Sequence, residues 1–386
     1  MKRVAQVKRF WINGTETWLD CQMQNLTNFT PLVYAETISP NFCKTNYPVN
    51  MPPIKPRGFE KVFKAIKQMP PSLTTFFARQ ITFDGARLIH AHFGTDARYF
   101  LGVAKRTGLP LVVTFHGHDA YRFPNTLGGL AKYYYRKLWE QASMVLTISD
   151  HMRHTLMELG CPEEKLKVLK VGVNLELFEF SPPKPEETLR FVCVAGFRPK
   201  KGLHRLIEAF QLVKQEKNNA ELVLIGDGPL REKCEKLASE LGVAESITFT
   251  GHVPLTEVAM LLKCAHIYVQ PSVTAPNGDK EGIPVTLMEA LARGVPCIAT
   301  QHSGIPELIE DGVSGCLVPE NDVGALAQAM IGLADHPERW QSMGEAGRMR
   351  VEMEHNLMKQ TEKLEAIYNE IVLPLERSVA IETFAA

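Results

Sequence analysis

The chain has no excess of charge of either sign. Lys plus Arg and Asp plus Glu each number 43 among its 386 residues, so the formal net charge at pH 7 is +0. Proteins that bind nucleic acid usually carry a basic surplus on one domain or face. The sequence therefore predicts no nucleic-acid partner, and any site for an anion must be built from a few local cations.

Long apolar segments and paired cysteines are missing as well. No uninterrupted apolar run approaches the ~18 residues of a membrane-spanning helix, and the charged start MKRVAQVKRF is not followed by the apolar region of a signal peptide. The eight cysteines form no C-x-x-C pair, which favours free thiols in a reducing compartment. We expect a cytoplasmic protein, with at most peripheral contact with the inner face of a membrane.

The chain does have a regular alternation of β-rich runs and helical patterns. Strands are predicted in the first half at Val4–Val7, Pro31–Ala35, Leu88–Phe93, Leu111–Phe115, Met144–Ser149 and Val168–Val171. In the second half they are predicted at Phe191–Ala195, Leu222–Ile225, Ile247–Thr250, Ile267–Gln270, Cys297–Thr300 and Cys316–Val318. Such alternation is typical of parallel sheets with helices on both faces. The predicted fold class is α/β, with two doubly wound, Rossmann-like domains.

A proline-rich segment, SPPKPEET, marks the predicted boundary between the domains. It is polar and has neither helical nor strand periodicity, which is typical of a linker. We expect an N-terminal domain over 1–175, a linker over 176–189, a second domain over 190–357 and a C-terminal helix over 358–386. Because ligands of open parallel sheets bind beyond the carboxyl ends of the strands, the cleft between the domains is the expected site.

The loop Pro271–Pro284 is the most informative part of the second half. It ends in Glu281 and Gly282, and Pro284 then begins a helical pattern that contains Glu289. The free N–H groups at the start of a helix favour an anion, which suits a diphosphate. A carboxylate can accept two hydroxyl hydrogen bonds at once, so the two glutamates suit a sugar or a ribose diol.

A group of cations follows an earlier predicted strand. The turn Gly196–Gly202 contains Arg198, Lys200 and Lys201, and a helical pattern begins directly after it. Cations beside the N-terminus of a helix favour an anionic ligand. We expect Lys201 or Arg198 to contact a phosphate, and a solvated basic turn is the alternative.

Histidines mark two predicted strand ends of the first half. His90 and His92 share one face of a strand, and His116 and Asp119 follow the next strand. Such a group could bind zinc. The chain lacks the further carboxylate and histidine cluster of a binuclear hydrolase, so we favour histidines that are satisfied by hydrogen bonds.

Taken together, these motifs resemble the Glu-x7-Glu signature of retaining GT-B glycosyltransferases of family four. The matching segments occur in the order of the family: Val194–Gly202, Ile225–Pro229, Gly251–Pro254, Glu281–Glu289 and Gly304–Leu317. The resemblance implies that Glu289 binds the ribose hydroxyls of a nucleotide-diphosphate sugar and that Glu281 faces the donor sugar. The roles of these two residues follow from the resemblance alone.

Further donor contacts are implied for Arg198, Lys201, Asp279, Gly282, Ile283 and Pro284. The backbone at 282–284 would hold the diphosphate, and Lys201 would neutralise it. One departure concerns an arginine that the family usually places after a glycine. That position falls here on Gly196, and we expect Arg198 to substitute for the arginine.

The resemblance also implies roles for the first domain. His116 would reach the donor sugar, with Asp119 as its orienting partner. Gly14, in the loop Asn13–Thr17, would allow close approach of the donor phosphate and the acceptor, with a simple capped turn as the alternative. The basic helical pattern over 57–69 could rest on an anionic membrane or bind a lipid-diphosphate acceptor, and a solvated charged face is the alternative.

The function implied is that of a retaining glycosyltransferase. It would move a sugar from a nucleotide-diphosphate donor to a hydroxyl acceptor on a polysaccharide, a glycolipid, including a lipid-linked acceptor, or a small molecule. No Asp-x-Asp follows a predicted strand of the second domain, so we expect neither a metal nor another cofactor. A sugar-nucleotide epimerase on the same fold and a non-catalytic binding subunit are the alternatives.

Overall fold

A computed structural model describes residues 1–11, 16–38, 47–53 and 68–384, with the side chains of 375–384 excepted. These residues form two compact units. The first unit contains Met1–Gly172 and Leu357–Ala386, and the second contains Val173–Asn356. Each unit is built on one parallel sheet with helices, so the predicted α/β class with two doubly wound domains is confirmed.

The sheet of the first unit has seven described strands in the order β3-β2-β1-β4-β5-β6-β7. Their bounds are β1 Lys2–Trp11, β2 Phe29–Ile38, β3 Val49–Asn50, β4 Ala86–His92, β5 Leu111–Thr114, β6 Met144–Thr147 and β7 Leu166–Val168. β1 lies between β2 and β4, where Ala5 is opposite Leu32 on one side and Ile89 on the other. The carboxyl ends of β1 and β4, which carry polar residues, therefore lie side by side at one end of the sheet.

The described helices before the second unit are α1 Thr17–Gln24, α2 Pro71–Phe83, α3 Gly94–Thr107, α4 Arg122–Asn125, α5 Ala131–Gln141 and α6 Asp150–Glu158. α6 begins where its sequence provides a cap, because the Ser149 hydroxyl accepts a hydrogen bond from Met152 N at 3.1 Å. α3 ends at Gly108, whose φ of 69° closes the last turn.

The sheet of the second unit has six described strands in the order β10-β9-β8-β11-β12-β13. Their bounds are β8 Leu189–Val194, β9 Ala220–Ile225, β10 Ile247–Gly251, β11 Ile267–Gln270, β12 Cys297–Thr300 and β13 Cys316–Val318. The helices are α7 Leu203–Glu216, α8 Arg231–Glu240, α9 Leu255–Lys263, α10 Val285–Arg293, α11 Val323–Asp335 and α12 Trp340–Glu354. β8 pairs directly with β11 in parallel, so the segments that follow these two strands begin side by side at the carboxyl end of the sheet.

The last helix, α13 Leu357–Phe384, belongs to the first unit. Its Leu364, Tyr368 and Val372 are buried against the face of the sheet that carries Val4 and Leu88. Alternate residues of β1 point to opposite faces of the sheet, so Ala5 and Val7 join a separate core with α2 and α3. Among the described residues, no helix combines the length and the hydropathy that crossing a bilayer requires.

α13 also closes the start of β2 through one carboxylate. Glu365 Oε1 accepts hydrogen bonds from the backbone N–H groups of Thr27, Asn28 and Phe29 at 2.8, 2.7 and 3.2 Å. Burial acts to raise the pKa of Glu365, but hydrogen bonds from the backbone and side chains of Asn28 and Thr27 hold it below its ordinary value. The first unit is therefore completed by residues that lie more than 330 positions further along the chain.

Candidate functional site

The segment between β11 and α10 is held by polar contacts at its base. Thr300 Oγ1 donates to Ser272 O at 2.5 Å, and Gln270 Nε2 donates to Ser272 Oγ at 2.9 Å. Val273 N donates to Lys200 O at 2.9 Å, which ties the segment to the turn after β8. The two segments that the sequence associates with a phosphate are thus in direct contact within the second unit.

The N-terminus of α10 has backbone N–H groups for which the described residues supply no acceptor. Pro284 precedes the helix and has no N–H group. The N–H groups of Gly282, Ile283 and Val285 donate to no acceptor in the described part of the chain. Unpaired N–H groups at the start of a helix carry partial positive charge and bind anions.

Two lysines after β8 pair with two carboxylates of this segment. Lys201 Nζ lies 3.0 Å from Glu281 Oε1, and Lys200 Nζ lies 3.4 Å from Asp279 Oδ1. Burial alone would raise the pKa of Glu281, but Lys201 and Lys200 together hold it below its ordinary value. Glu281 is therefore ionised at neutral pH, although the whole residue is only 7% exposed.

Among the described residues, no cation forms an ion pair with Glu289. The residue is 5% exposed, and its Oε2 has no hydrogen-bond partner among the described residues. Burial raises the pKa of Glu289 to about 8. A buried polar atom without a partner is rare in folded proteins and marks a position where a ligand can supply the missing hydrogen bond.

His302 braces the backbone of Glu281, which the sequence did not reveal. Its Nε2 accepts the N–H of Glu281 at 3.0 Å, so its Nδ1 carries the proton and donates to Glu320 Oε1 at 2.5 Å. Glu320 also accepts from Thr274 N at 2.7 Å. The only available signal was that His302 follows the end of β12, as chemically active residues of parallel sheets commonly do.

Gly202 gives a direct test of how tightly the two segments pack. Its φ is 64°, and a Cβ atom there would lie 1.9 Å from the carbonyl oxygen of Pro271. We expect Gly202→Ala to destabilise the second unit by roughly 3 kcal/mol or more. Gly242→Ala is the matched control because its φ is 71° and no atom of the described residues would lie within 4 Å of its Cβ. The control should cost only about 1–2 kcal/mol in urea unfolding, and equal losses would contradict the close approach.

Arg198 is placed differently from the lysines. It is exposed, and its side chain lines a small cavity with Leu203 and His204. Within the described residues, no hydrogen bond or ion pair links Arg198 to Glu281. The structure therefore brings Lys201, Asp279 and Glu281 together but leaves Arg198 outside the cluster.

In the first unit, His116 lies at the end of β5 among aromatic rings. Its ring centroid is 4.4 Å from that of Trp18 and 4.8 Å from that of Phe93. Burial, followed by the charges of Lys8 and His90, lowers the pKa of His116 well below its ordinary value. The imidazole is therefore neutral at physiological pH.

Asp119, the expected orienting partner of His116, contacts the backbone of that residue and not its ring. Asp119 Oδ1 accepts hydrogen bonds from the backbone N–H groups of His116 and Gly117 at 3.1 and 3.0 Å. Its Oδ2 accepts from Gly94 N at 2.7 Å. The short side chain turns back on its own loop, so it positions the backbone of His116 and not the imidazole.

The alternative of a zinc site finds no support in the geometry. His90 and His92 are engaged in buried hydrogen bonds with protein side chains. No group of three potential histidine, cysteine or carboxylate ligands is arranged for a metal anywhere in the described ranges. Gly14 and most of the basic segment 57–69 lie outside those ranges, so their predicted roles stay predictions.

Two known sequence families together match most of the chain. Residues 29–177 match the family described as "Glycosyltransferase Family 4", and residues 176–350 match "Glycosyl transferases group 1". The amylovoran biosynthesis glycosyltransferase AmsK of Erwinia amylovora is 37% identical over 246 residues, which cover 64% of this chain and 60% of AmsK. A GDP-mannose-dependent alpha-(1-6)-phosphatidylinositol monomannoside mannosyltransferase of Mycolicibacterium smegmatis is 30% identical over 64% of this chain and 66% of that protein. The chain spans about half to two-thirds of the length of the first curated relatives that it matches.

Solved structures match over nearly the whole chain. Sucrose-phosphate synthase from Thermosynechococcus elongatus has a TM-score of 0.78 and 19% identity, with 96% of this chain and 99% of that chain covered. Anabaena HepE in complex with UDP and glucose has a TM-score of 0.78 and 16% identity, with coverages of 96% and 100%. At these identities the likeness establishes the fold alone, and it confirms the predicted GT-B architecture.

Proposed function

Because the chain belongs to the family 4 glycosyltransferases of GT-B fold, we propose that it transfers a sugar from a nucleotide-diphosphate donor to a hydroxyl acceptor with retained anomeric configuration. The donor would bind to the second unit. The observation that carries this proposal is the free N–H groups at the start of α10, which lie beside the Lys201–Glu281 ion pair. A diphosphate is the anion that fits several aligned donors and a neighbouring ammonium group.

The diphosphate would be held at 282–285 by the backbone and neutralised by Lys201. Negative charge grows on the phosphate oxygen as the glycosidic bond breaks, and donors that are already in place stabilise it most effectively. Since the leaving group is acidic, the reaction needs no carboxylic acid to protonate it, in contrast to glycoside hydrolysis. In this proposal the helix N-terminus and Lys201 supply the charge that a metal ion provides in other transferases.

The two glutamates would bind hydroxyl groups. Glu289 would accept hydrogen bonds from the ribose diol, because its buried Oε2 has no protein partner among the described residues. Glu281 would face hydroxyls of the donor sugar while Lys201 keeps it ionised. Asp279 is held by Lys200 and would shape the loop around the sugar.

We assign no covalent intermediate to the retained configuration. The Glu281 carboxylate is paired with Lys201, which lowers its basicity and its strength as a nucleophile. The acceptor oxygen would attack the anomeric carbon on the face from which the diphosphate departs. The acceptor proton would pass to the departing phosphate oxygen as one bond forms and the other breaks.

The acceptor is proposed to be a hydroxyl of a growing glycan or glycolipid. The names of two relatives point to amylovoran synthesis and to a phosphatidylinositol mannoside, which supports this choice. A panel of UDP- and GDP-sugars should include one donor that raises the unfolding temperature. With acceptor present, release of nucleoside diphosphate and an anomeric coupling that matches the donor would support the proposal. An altered nucleotide-sugar formed without acceptor would indicate an epimerase instead.

His116 is proposed to contact the donor sugar from the first unit. We expect His116→Ala to lower kcat by about 10- to 100-fold, because a contact to the reacting sugar contributes more in the transition state than in the bound donor. Donor affinity measured by calorimetry should change little. His154→Ala, on α6, is the control. Unchanged turnover in His116→Ala would remove this residue from the site.

A further inference from the structure

A continuous chain of hydrogen bonds runs through the first unit and ends at His116. It joins the side chains Thr114, His90, Tyr368, Gln6, His92 and His116, in that order. The first five residues are at most 5% exposed. They come from β5, β4, α13 and β1, and no role in the proposed reaction uses them. Buried polar groups that satisfy one another rigidify a site and transmit geometry along the chain.

The side-chain amide of Gln6 determines which groups donate and which accept in the part of the hydrogen-bond chain that leads to Thr114. Its Nε2 donates to the Tyr368 hydroxyl oxygen at 3.3 Å. A phenol has a single proton, so Tyr368 donates that proton to His90 Nδ1 at 2.5 Å. Burial lowers the pKa of His90 to about 3, so the ring is neutral and its one proton is on Nε2. This Nε2–H donates to Thr114 Oγ1 at 2.7 Å.

The amide of Gln6 also determines the donors and acceptors in the part of the hydrogen-bond chain that leads to His116. Gln6 Oε1 can only accept, so His92 must donate from Nε2, at 2.8 Å. Burial lowers the pKa of His92 well below its ordinary value, which leaves its Nδ1 as an acceptor. His116 Nε2 lies 3.4 Å from that Nδ1 and therefore carries the proton of its ring. His116 Nδ1 has a free lone pair and no hydrogen-bond partner in the described ranges.

We propose that Gln6 and Tyr368 are positioning residues that fix His116 in its Nε2–H tautomer, so that it meets the donor sugar through Nδ1 as an acceptor of a hydroxyl hydrogen bond. The inference rests on the proposed contact between His116 and the sugar. The rings of Trp18 and Phe93 pack against the imidazole of His116, while the hydrogen-bond chain determines which of its nitrogens is protonated. A donor sugar must then offer a hydroxyl proton at this position, and a deoxysugar would lose the contact.

The tautomers can be read directly by nitrogen NMR of the full chain with ¹⁵N-labelled histidine. In the wild type, His90, His92 and His116 should all be neutral and protonated on Nε2 at pH 7.5. Tyr368→Phe removes the acceptor of the Gln6 amide, so His92 and His116 should become tautomer mixtures. Turnover should fall about tenfold with little change in donor KM, the size of one lost hydrogen bond. Tyr34→Phe is the matched control. Tyr34 is as buried as Tyr368, and its hydroxyl donates to Asp84, which is not part of the hydrogen-bond chain that ends at His116.

A second variant tests whether Gln6 fixes the donor and acceptor roles along the hydrogen-bond chain or whether a substitution there only disturbs the fold. In Gln6→Glu the carboxylate can only accept, so both His92 and the Tyr368 hydroxyl donate to it. His90 must then donate to Tyr368 from Nδ1, while His116 keeps its proton on Nε2. A wild-type His116 protonated on Nδ1, or an unchanged His116 spectrum in Tyr368→Phe, would overturn the inference. Turnover of His116→Ala tests the proposed sugar contact independently of these spectra.

Discussion

Replacing Lys201 by alanine is expected to lower kcat by about 10²- to 10³-fold, the effect of removing one preorganised charge-stabilising donor from an active site. Lys201 Nζ lies 3.0 Å from Glu281 Oε1, beside the free N–H groups of α10. The departing diphosphate gains negative charge in the transition state, so turnover should suffer more than donor affinity. Steady-state release of nucleoside diphosphate, compared with donor binding by calorimetry, measures the two effects separately.

The control for this prediction must separate function from folding. Lys236→Ala removes an exposed lysine whose partner is Glu240 and should leave turnover unchanged. Lys201→Ala also leaves Glu281 as a buried carboxylate without its nearest cation, which by itself destabilises the unit. The double variant Lys201→Ala/Glu281→Gln removes both charges. If Lys201→Ala kept wild-type turnover, the assignment of the diphosphate site would have to be abandoned.

Replacing Glu289 by glutamine is expected to raise the stability of the protein at pH 8 and to lower its affinity for the donor. Glu289 has an ordinary pKa of 4.5 that burial raises to about 8. The folded protein therefore keeps a proton that the unfolded chain releases. The protonated Glu289 therefore contributes roughly 3–5 kcal/mol to the free energy of unfolding. This contribution is fully present below pH 4.5 and is lost as the pH rises to about 8. Glu289→Gln cannot ionise, so the variant should be more stable than the wild type at pH 8 and nearly equal to it at pH 5.

The same substitution should weaken donor binding. The ionised form of Glu289, which is about half populated at pH 8, accepts a hydrogen bond from each hydroxyl of a ribose diol, whereas an amide accepts only through its oxygen. We expect a loss of about 10- to 100-fold in donor affinity. Urea unfolding between pH 5 and 8.5 and calorimetry at pH 8 measure the two effects, and the exposed Glu232→Gln is the control. A variant with the pH dependence of the wild type would show that Glu289 is not the group that titrates.

Sequence reasoning succeeded where local pattern and topology agree. The strands Ile267–Gln270, Cys297–Thr300 and Cys316–Val318 were predicted to the residue because short apolar runs are bounded by polar turns. The contact of Lys201 with Glu281 was accessible for a similar reason. Both residues follow the ends of parallel strands, β8 and β11, that turn out to be neighbours in the sheet.

It failed where a polar residue is satisfied by a distant partner. β1 was predicted over Val4–Val7 but spans Lys2–Trp11, and it buries Gln6 and Lys8. The partner of Gln6 is Tyr368, 362 positions away, and no local period carries that information. The brace from His302 to Glu281 and the role of Asp119 escaped for the same reason, since side-chain direction is set by tertiary contacts. β3, with two residues, is too short to show any period.

The position of α13 in the first unit has a consequence for synthesis on the ribosome. The second unit is one uninterrupted stretch of chain from Val173 to Asn356, and these two end residues are paired as a β-bridge. The first unit instead needs Glu365 to close the start of β2 and Tyr368 to complete the chain that ends at His116. At about 5–20 residues per second, Glu365 is made roughly 15–70 s after Asn28. A nascent polypeptide can therefore finish its second unit first, while the half that holds His116 waits with an uncovered apolar face for one of its last helices to emerge.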